Sequence, residues 1–197
     1  MVLDLDLQHE TQMLLGLYER ETFRFIRKAA QNCVWMVDVG AGNGELAIFF
    51  LRKPKCLLVH AFEPLNDALS RFRKNLELNQ LSEDKRLVIH ENFAGTTDGP
   101  AYTTLDSLDL DLGMPGFVKI DVDGFELDVL SSATRVLMIG QPDVLVEVHS
   151  EQLETDCISL MREFGYHVEI IENAWWRIAV PEERPIPHNR WIWCCKP

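Results

Sequence analysis

VWMVDVGAGNGELAIFF, residues 34–50, is the stretch on which the fold turns. An apolar run breaks into three closely spaced glycines and then resumes with apolar residues at helical spacing, which reads as a strand, a tight turn and a helix. Gly40, Gly42 and Gly44 carry no Cβ and reach positive φ without strain, so a ligand can come close to the backbone there. Asp38 ends the strand and adds a fixed acceptor. On a parallel sheet, such a unit is a nucleotide-handling device.

The glycine spacing narrows the ligand. The nicotinamide and flavin fingerprint GxGxxG requires glycine where this chain has Glu45, and an acid at that helix N-terminus repels a diphosphate. The pattern is instead DxGxGxG, which suits a cofactor without phosphate. S-adenosylmethionine is one: its carboxylate suits a helix N-terminus, and its ammonium and sulfonium groups suit carboxylates such as Asp38. LLVHAFEP, residues 57–64, is a second strand that ends in Glu63 and is stopped by proline. An acid about 20 residues past the glycine turn, at the end of the second strand, is placed to accept hydrogen bonds from ribose hydroxyls. The expected cofactor-binding residues are therefore Asp38, Gly40, Gly42, Gly44 and Glu63.

Composition bounds the rest. The chain has 197 residues, 47% of them hydrophobic, enough for one core, so a single domain over 1–197 is expected. Nineteen basic against 31 acidic residues give a net charge of −12, which repels nucleic acid and anionic membrane surfaces. The acidic first residues do not read as a leader and no stretch is apolar enough to span a bilayer, so a cytoplasmic protein is expected. Cys33, Cys56, Cys157, Cys194 and Cys195 are scattered without a CxxC pair and read as free thiols.

Periodicity then sets the organisation. An N-terminal helical cap over 1–31 comes from apolar residues at Met13, Leu14, Leu17, Phe23 and Ile26, in a helix over 8–30 with a break near Gly16. A core over 34–150 alternates strands at 34–39, 57–62, 87–90, 117–122 and 144–148 with helices at 45–52, 66–78 and 125–137. The interval 91–115 reads as loop with a short strand around 101–104. A helix at 153–164 and strands near 167–171 and 190–195 close the chain over 151–197. The fold class is α/β: a Rossmann-like, doubly wound, mostly parallel sheet with an antiparallel strand near the C-terminus. Such a sheet binds its ligand outside the carboxyl ends of its strands. The strand ends of FVKIDVDGFE and DVLVEVHS deliver Asp121, Asp123, Glu126, Glu147 and His149 there.

VDVGAGNG, AFEP, TLDSL, FVKIDVDGFELDVL and LVEVHS, in this order, resemble the FkbM-type family of S-adenosylmethionine-dependent methyltransferases, over roughly residues 14–150. The glycine turn and AFEP are common to the wider class I methyltransferases, whereas KIDVDGFE after TLDSL is more particular to the family. The resemblance implies transfer of methyl to a hydroxyl of a small molecule or sugar without naming the acceptor. It also implies that Asp121 borders the methionine moiety, and that the segment after the third strand, with Asn92 and Phe93, meets the adenine. The family often has glutamate where this chain has Asp123, one methylene shorter.

For catalysis, Asp121, His149 and Glu126 are the residues expected to act. His149 is the general base for an acceptor hydroxyl, since imidazole titrates near neutral pH; Glu126 either joins the site or stabilises the start of its helix. Asp121, Asp123, Glu147 and His149 can also ligate a divalent ion, but their spacing is no dedicated motif and no metal is expected. The C-terminal aromatics offer an acceptor pocket or a homodimer face, with two antiparallel strands packing the sheet edge as the plainer reading. Two other classes remain open: a cofactor-binding regulatory or scaffold protein that transfers nothing, and a nicotinamide oxidoreductase, which Glu45 disfavours.

Overall fold

The computed structural model describes residues 1–5, 17, 19–96, 99, 101–173 and 188–197. Five parallel strands and an antiparallel pair build one sheet: β1 (Trp35–Val39), β2 (Leu58–Phe62), β3 (Leu87–His90), β6 (Gly116–Ile120), β7 (Asp143–Val148), β8 (His167–Ile171) and β9 (Arg190–Cys195), in the order β3-β2-β1-β6-β7-β9-β8. β9 runs antiparallel to both β7 and β8. The expected doubly wound sheet with an antiparallel strand near the C-terminus is the one observed.

Strand order reverses between β1 and β6, which pair in parallel with Asp38 opposite Lys119. A crevice opens at such a switch point, at the carboxyl ends of both strands. β1 is buried throughout because helices cover both faces, which is why it reads as an unbroken apolar run. Alternation sorts its side chains: Trp35, Val37 and Val39 join one core cluster with Val118, Ile120 and Val146, while Met36, Phe117 and Leu145 join the cluster on the opposite face. By the same period of two, Asp38, Lys119 and Glu147 project to the Met36 side.

The helices are α1 (Phe23–Asn32), α2 (Glu45–Leu51), α3 (Asn66–Leu78), α4 (Glu126–Ser131) and α5 (Glu151–Glu163). A 3₁₀ turn, Arg20–Thr22, precedes α1, whose Phe25, Ala29 and Ala30 are buried. The expected break near Gly16 lies outside the described residues. α5 begins two residues earlier than the apolar period suggests because the Ser150 side chain caps it, accepting from the Leu153 N–H.

Two segments depart from the expected plan. The strand expected near 101–104 forms as β5 (Tyr102–Thr103), but it pairs with β4 (Phe93–Ala94) in a separate two-stranded sheet. The helix expected over 125–137 stops at Ser131 and resumes as a π turn at Val136–Gly140. Asp106 of TLDSL causes the restart: its carboxylate accepts the N–H groups of Arg135 (2.8 Å) and Val136 (2.9 Å), capping a new turn. The C-terminal strand buries Trp191 and Trp193 in the core, and all five cysteines are free. Trp175, Trp176 and the proline-rich loop at 181–187 lie outside the described residues.

Candidate active site

The glycine loop is fastened to β2. The Gly40 and Ala41 N–H groups donate to the Phe62 carbonyl at 3.1 and 2.9 Å, and Gly44 N–H donates to the Ala41 carbonyl at 2.9 Å. Glu63, buried, accepts the Gly42 N–H on Oε2 and the Leu65 N–H on Oε1, each at 2.9 Å. These donors are spent inside the protein, so the loop offers no row of free N–H groups for a diphosphate. Gly40, Gly42 and Gly44 all have positive φ (77°, 54° and 82°). A Cβ on Gly40 would sit 1.9 Å from the Asp121 carbonyl oxygen and one on Gly44 2.0 Å from the Phe72 ring, whereas one on Gly42 meets nothing within 4 Å. Packing demands two of the glycines; Gly42 faces open space.

Beside this loop, Asp38 is 1% exposed and neither of its oxygens has a hydrogen-bond partner. Its nearest cation is Lys119 Nζ at 3.8 Å, which itself donates to the Gly40 carbonyl at 2.9 Å and to Asp121 Oδ2 at 3.1 Å. Burial pushes the Asp38 carboxyl up to about 7; Lys119 opposes the shift, while Glu45, Asp121 and Glu63 add to it. Burial works against the charge on Lys119, but Asp121 and Asp38 outweigh it and hold the ammonium well above its usual value. A buried carboxylate with no donor is costly unless a ligand completes it. It is therefore the atom set here most suited to a cationic amine.

On the far side of the switch point the acids crowd. Glu126, wholly buried at the start of α4, accepts the Gly124 N–H at 3.2 Å and holds His149 through Nδ1. The other ring nitrogen, Nε2, faces Asp123 Oδ1 at 3.3 Å, Glu147 Oε2 at 3.5 Å and Asp121 Oδ1 at 3.9 Å. Burial favours the neutral ring, but Glu126 and Glu147 outweigh it and push His149 up to about 10. The surrounding carboxylates thus favour the charged ring, which takes no further proton. Burial, together with the neighbouring Asp121, pushes Glu147 up to about 9.

The residues expected at the adenine lie apart from this cluster. The Asn92 amide nitrogen donates to Thr103 Oγ1 at 2.9 Å, leaving Oδ1 without a partner, and Phe93, 47% exposed, stacks on Tyr102 with centroids 5.4 Å apart.

Residues 84–168 match the family model of the methyltransferase FkbM domain. The match covers less than half of the chain. Among solved structures it is similar to a methyltransferase FkbM from Methylobacillus flagellatus, with 22% identity and a TM-score of 0.62 over 82% of this chain and 43% of that one. It is also similar to an S-adenosylmethionine-dependent O-methyltransferase from Thermotoga maritima, with 15% identity and a TM-score of 0.61 over 90% and 65% of the two chains. A third similar structure is M. jannaschii TYW2 in complex with AdoMet, with 14% identity and a TM-score of 0.53 over 89% and 75%. This chain thus spans less than half the length of the Methylobacillus protein. No curated protein sequence matches it.

The matched stretch begins beyond the glycine loop and Glu63 and ends at the start of β8. It therefore contains Asn92, Phe93, Asp121, Glu126 and His149, while the loop residues precede it. The structure gathers Asp121, Asp123, Glu126, Glu147 and His149 in one cluster and Asp38 with Gly40, Gly42, Gly44 and Glu63 in a second, and Lys119 joins the two. Lys119 was not among the residues expected from sequence. The signal was present: KIDVD and EVH place charges at every second residue of otherwise apolar strands, which puts them on one face.

Proposed function

We propose that this chain binds S-adenosylmethionine in the crevice between the β1 and β6 ends and methylates a hydroxyl of a small molecule or sugar. The orphaned, buried carboxylate of Asp38 beside a glycine loop already fastened by Glu63 carries the reading. In it, Asp38 takes the cofactor's ammonium group, and Glu63 keeps unused lone pairs on both oxygens for the ribose hydroxyls. Gly42 leaves room where a side chain would intrude, and Asn92 Oδ1 accepts from an exocyclic amine of adenine. When bound, the cofactor would supply an electrophilic methyl group on a sulfonium leaving group, and the acceptor hydroxyl would give up its proton to solvent.

The chain's own contribution is to align the acceptor. Asp121, fixed by Lys119 at 3.1 Å, orients the acceptor hydroxyl. His149 and Glu126 set the position and charge of the pocket wall. Phe125, 61% exposed beside Gly124, offers an apolar surface to the acceptor skeleton. The T. maritima O-methyltransferase supports oxygen as the target, and the AdoMet complex of the M. jannaschii protein supports the cofactor.

One observation favours a second reading, a cofactor-binding protein without turnover: a charged His149 is no base. Release of S-adenosylhomocysteine on incubation with a panel of sugars, polyketide alcohols and peptides separates the two. Release above the acceptor-free background with any alcohol supports methyl transfer, and its absence across the panel, with cofactor binding intact, supports the second reading.

A further inference from the structure

Alternation along β6 and β7 brings the carboxylates of Asp121 and Glu147 and the ring of His149 to one point at the mouth of the crevice. One ligand atom from each lies within 4.8 Å of the others. An octahedral divalent ion with bonds of about 2.1 Å sets its ligands about 3 to 4.2 Å apart, so the three atoms can share one ion after small side-chain rotations.

The histidine supplies a second, independent observation. Its side chain is 4% exposed, Nδ1 is engaged by the buried Glu126, and Nε2 makes no hydrogen bond although three carboxylates stand within 3.9 Å of it. A carboxylate fixing one ring nitrogen while the other points into a ligand set is how proteins orient a metal-binding imidazole. Local charge agrees: Lys119 lies against Asp38 and Asp121, and His149 against Asp121, Asp123, Glu126 and Glu147, while the Glu19 carboxyl is close enough to act on both Lys119 and Glu147.

We propose that Asp121, Glu147 and His149 bind one divalent cation of the Mn2+ class, with Glu126 as the positioning residue for His149. Two carboxylates and one imidazole suit Mn2+ better than the oxygen-only preference of Ca2+ or the sulfur preference of softer ions. Asp123, 73% exposed, stands at the rim. Binding displaces the Nε2 proton of His149 to solvent, and three protein ligands leave positions open for oxygens of the acceptor. There the ion draws a hydroxyl toward ionisation, the proton leaving to solvent. That role rests on the function proposed above; binding of the ion does not.

The test uses Mn2+ alone, titrated into the metal-stripped 197-residue chain and followed by electron paramagnetic resonance and calorimetry, with S-adenosylmethionine titrated separately in chelator. One bound Mn2+ per chain is expected, weakened at least tenfold in Glu147→Gln and in His149→Gln, and roughly 10- to 100-fold in Glu126→Gln. Nitrogen hyperfine coupling from His149 should be present in the native protein and in Glu126→Gln but absent from His149→Gln. Cofactor affinity in chelator reports whether each variant is folded. No Mn2+ binding in folded protein, or binding that all three variants retain unchanged, overturns the proposal. Mn2+ binding without cofactor binding would instead uphold the metal site and overturn the cofactor reading.

Discussion

On the β1–β2 side of the crevice, Glu63 is satisfied at both oxygens by the N–H groups of Gly42 and Leu65, and the loop is tied to Phe62. On the β6–β7 side, Asp121, Asp123, Glu126 and Glu147 gather around a single imidazole. Asp38 lies between the two regimes, buried like Glu63 but without a donor. The first region is complete before any ligand arrives, so it can act as a rigid rest for a nucleoside. The second is held together against like-charge repulsion and desolvation, which a cation or a cationic group would relieve.

The sharpest way to break this contrast is at the loop glycines. In Gly40→Ala the new Cβ runs into the Asp121 carbonyl at 1.9 Å with φ at 77°, and a loss of about 3 kcal/mol or more in denaturant unfolding is expected. Gly42→Ala, with open space around it, should cost only about 1–2 kcal/mol for its φ, yet obstruct the cofactor. Equal destabilisation by the two would mean that the loop is not packed against β6. Glu63→Gln comes next. Replacing a charged acceptor by a neutral amide removes about 1.5–3 kcal/mol per interaction, so calorimetry should show S-adenosylmethionine binding weakened roughly 10- to 100-fold.

Asp38 should respond in the opposite sense for stability and for binding. Its folded value of about 7 lies above the usual carboxylate value of 3.8, so burial of its charge costs the fold progressively as pH rises from about 4 to about 7. Asp38→Asn should therefore unfold at a higher temperature than the native chain at pH 8, and the gain should shrink with falling pH and vanish below about pH 4, while cofactor binding falls at least tenfold. The native chain should in turn bind S-adenosylmethionine more weakly as pH drops below about 7, where Asp38 takes up a proton among Lys119, Glu45, Asp121 and Glu63. Calorimetry at pH 6 and pH 8 checks this, and Asp38→Asn should flatten the dependence. The smallest effect is expected for Phe125→Ala: folding within about 0.5 kcal/mol of native and unchanged cofactor affinity, with a raised KM for an acceptor once one is found.

The sheet was legible because each strand is a short apolar run bounded by glycine, proline or acid, and because α3, β3, β8 and β9 begin and end where their periods do. What stayed hidden depends on partners distant in sequence. The break after α4 comes from Asp106, 25 or more residues away, which no local pattern in ELDVLSSATRVL discloses. The pairing of β4 with β5 is likewise a contact between two segments too short to show a period. At the site, glycine spacing and the acid at the second strand end pointed to the loop and Glu63. The mutual effect of Glu126, Glu147 and His149 did not follow from type or spacing, because an imidazole that looks suited to neutral pH changes character once two carboxylates close on it. The alternation of KIDVD puts Lys119 on the charged face, but its bridging of Asp38 and Asp121 depends on the neighbouring strand β1 and so is not local to the pattern.

Calorimetric titration of the native chain at pH 8 with S-adenosylmethionine, repeated with NAD, addresses the crevice between Asp38 and Glu63 most directly. One site for S-adenosylmethionine, competed by S-adenosylhomocysteine and weakened in Gly42→Ala and Glu63→Gln, is the expected result, with no heat from NAD. Folded protein that takes up no S-adenosylmethionine, or that binds it equally well in both variants, would contradict the account.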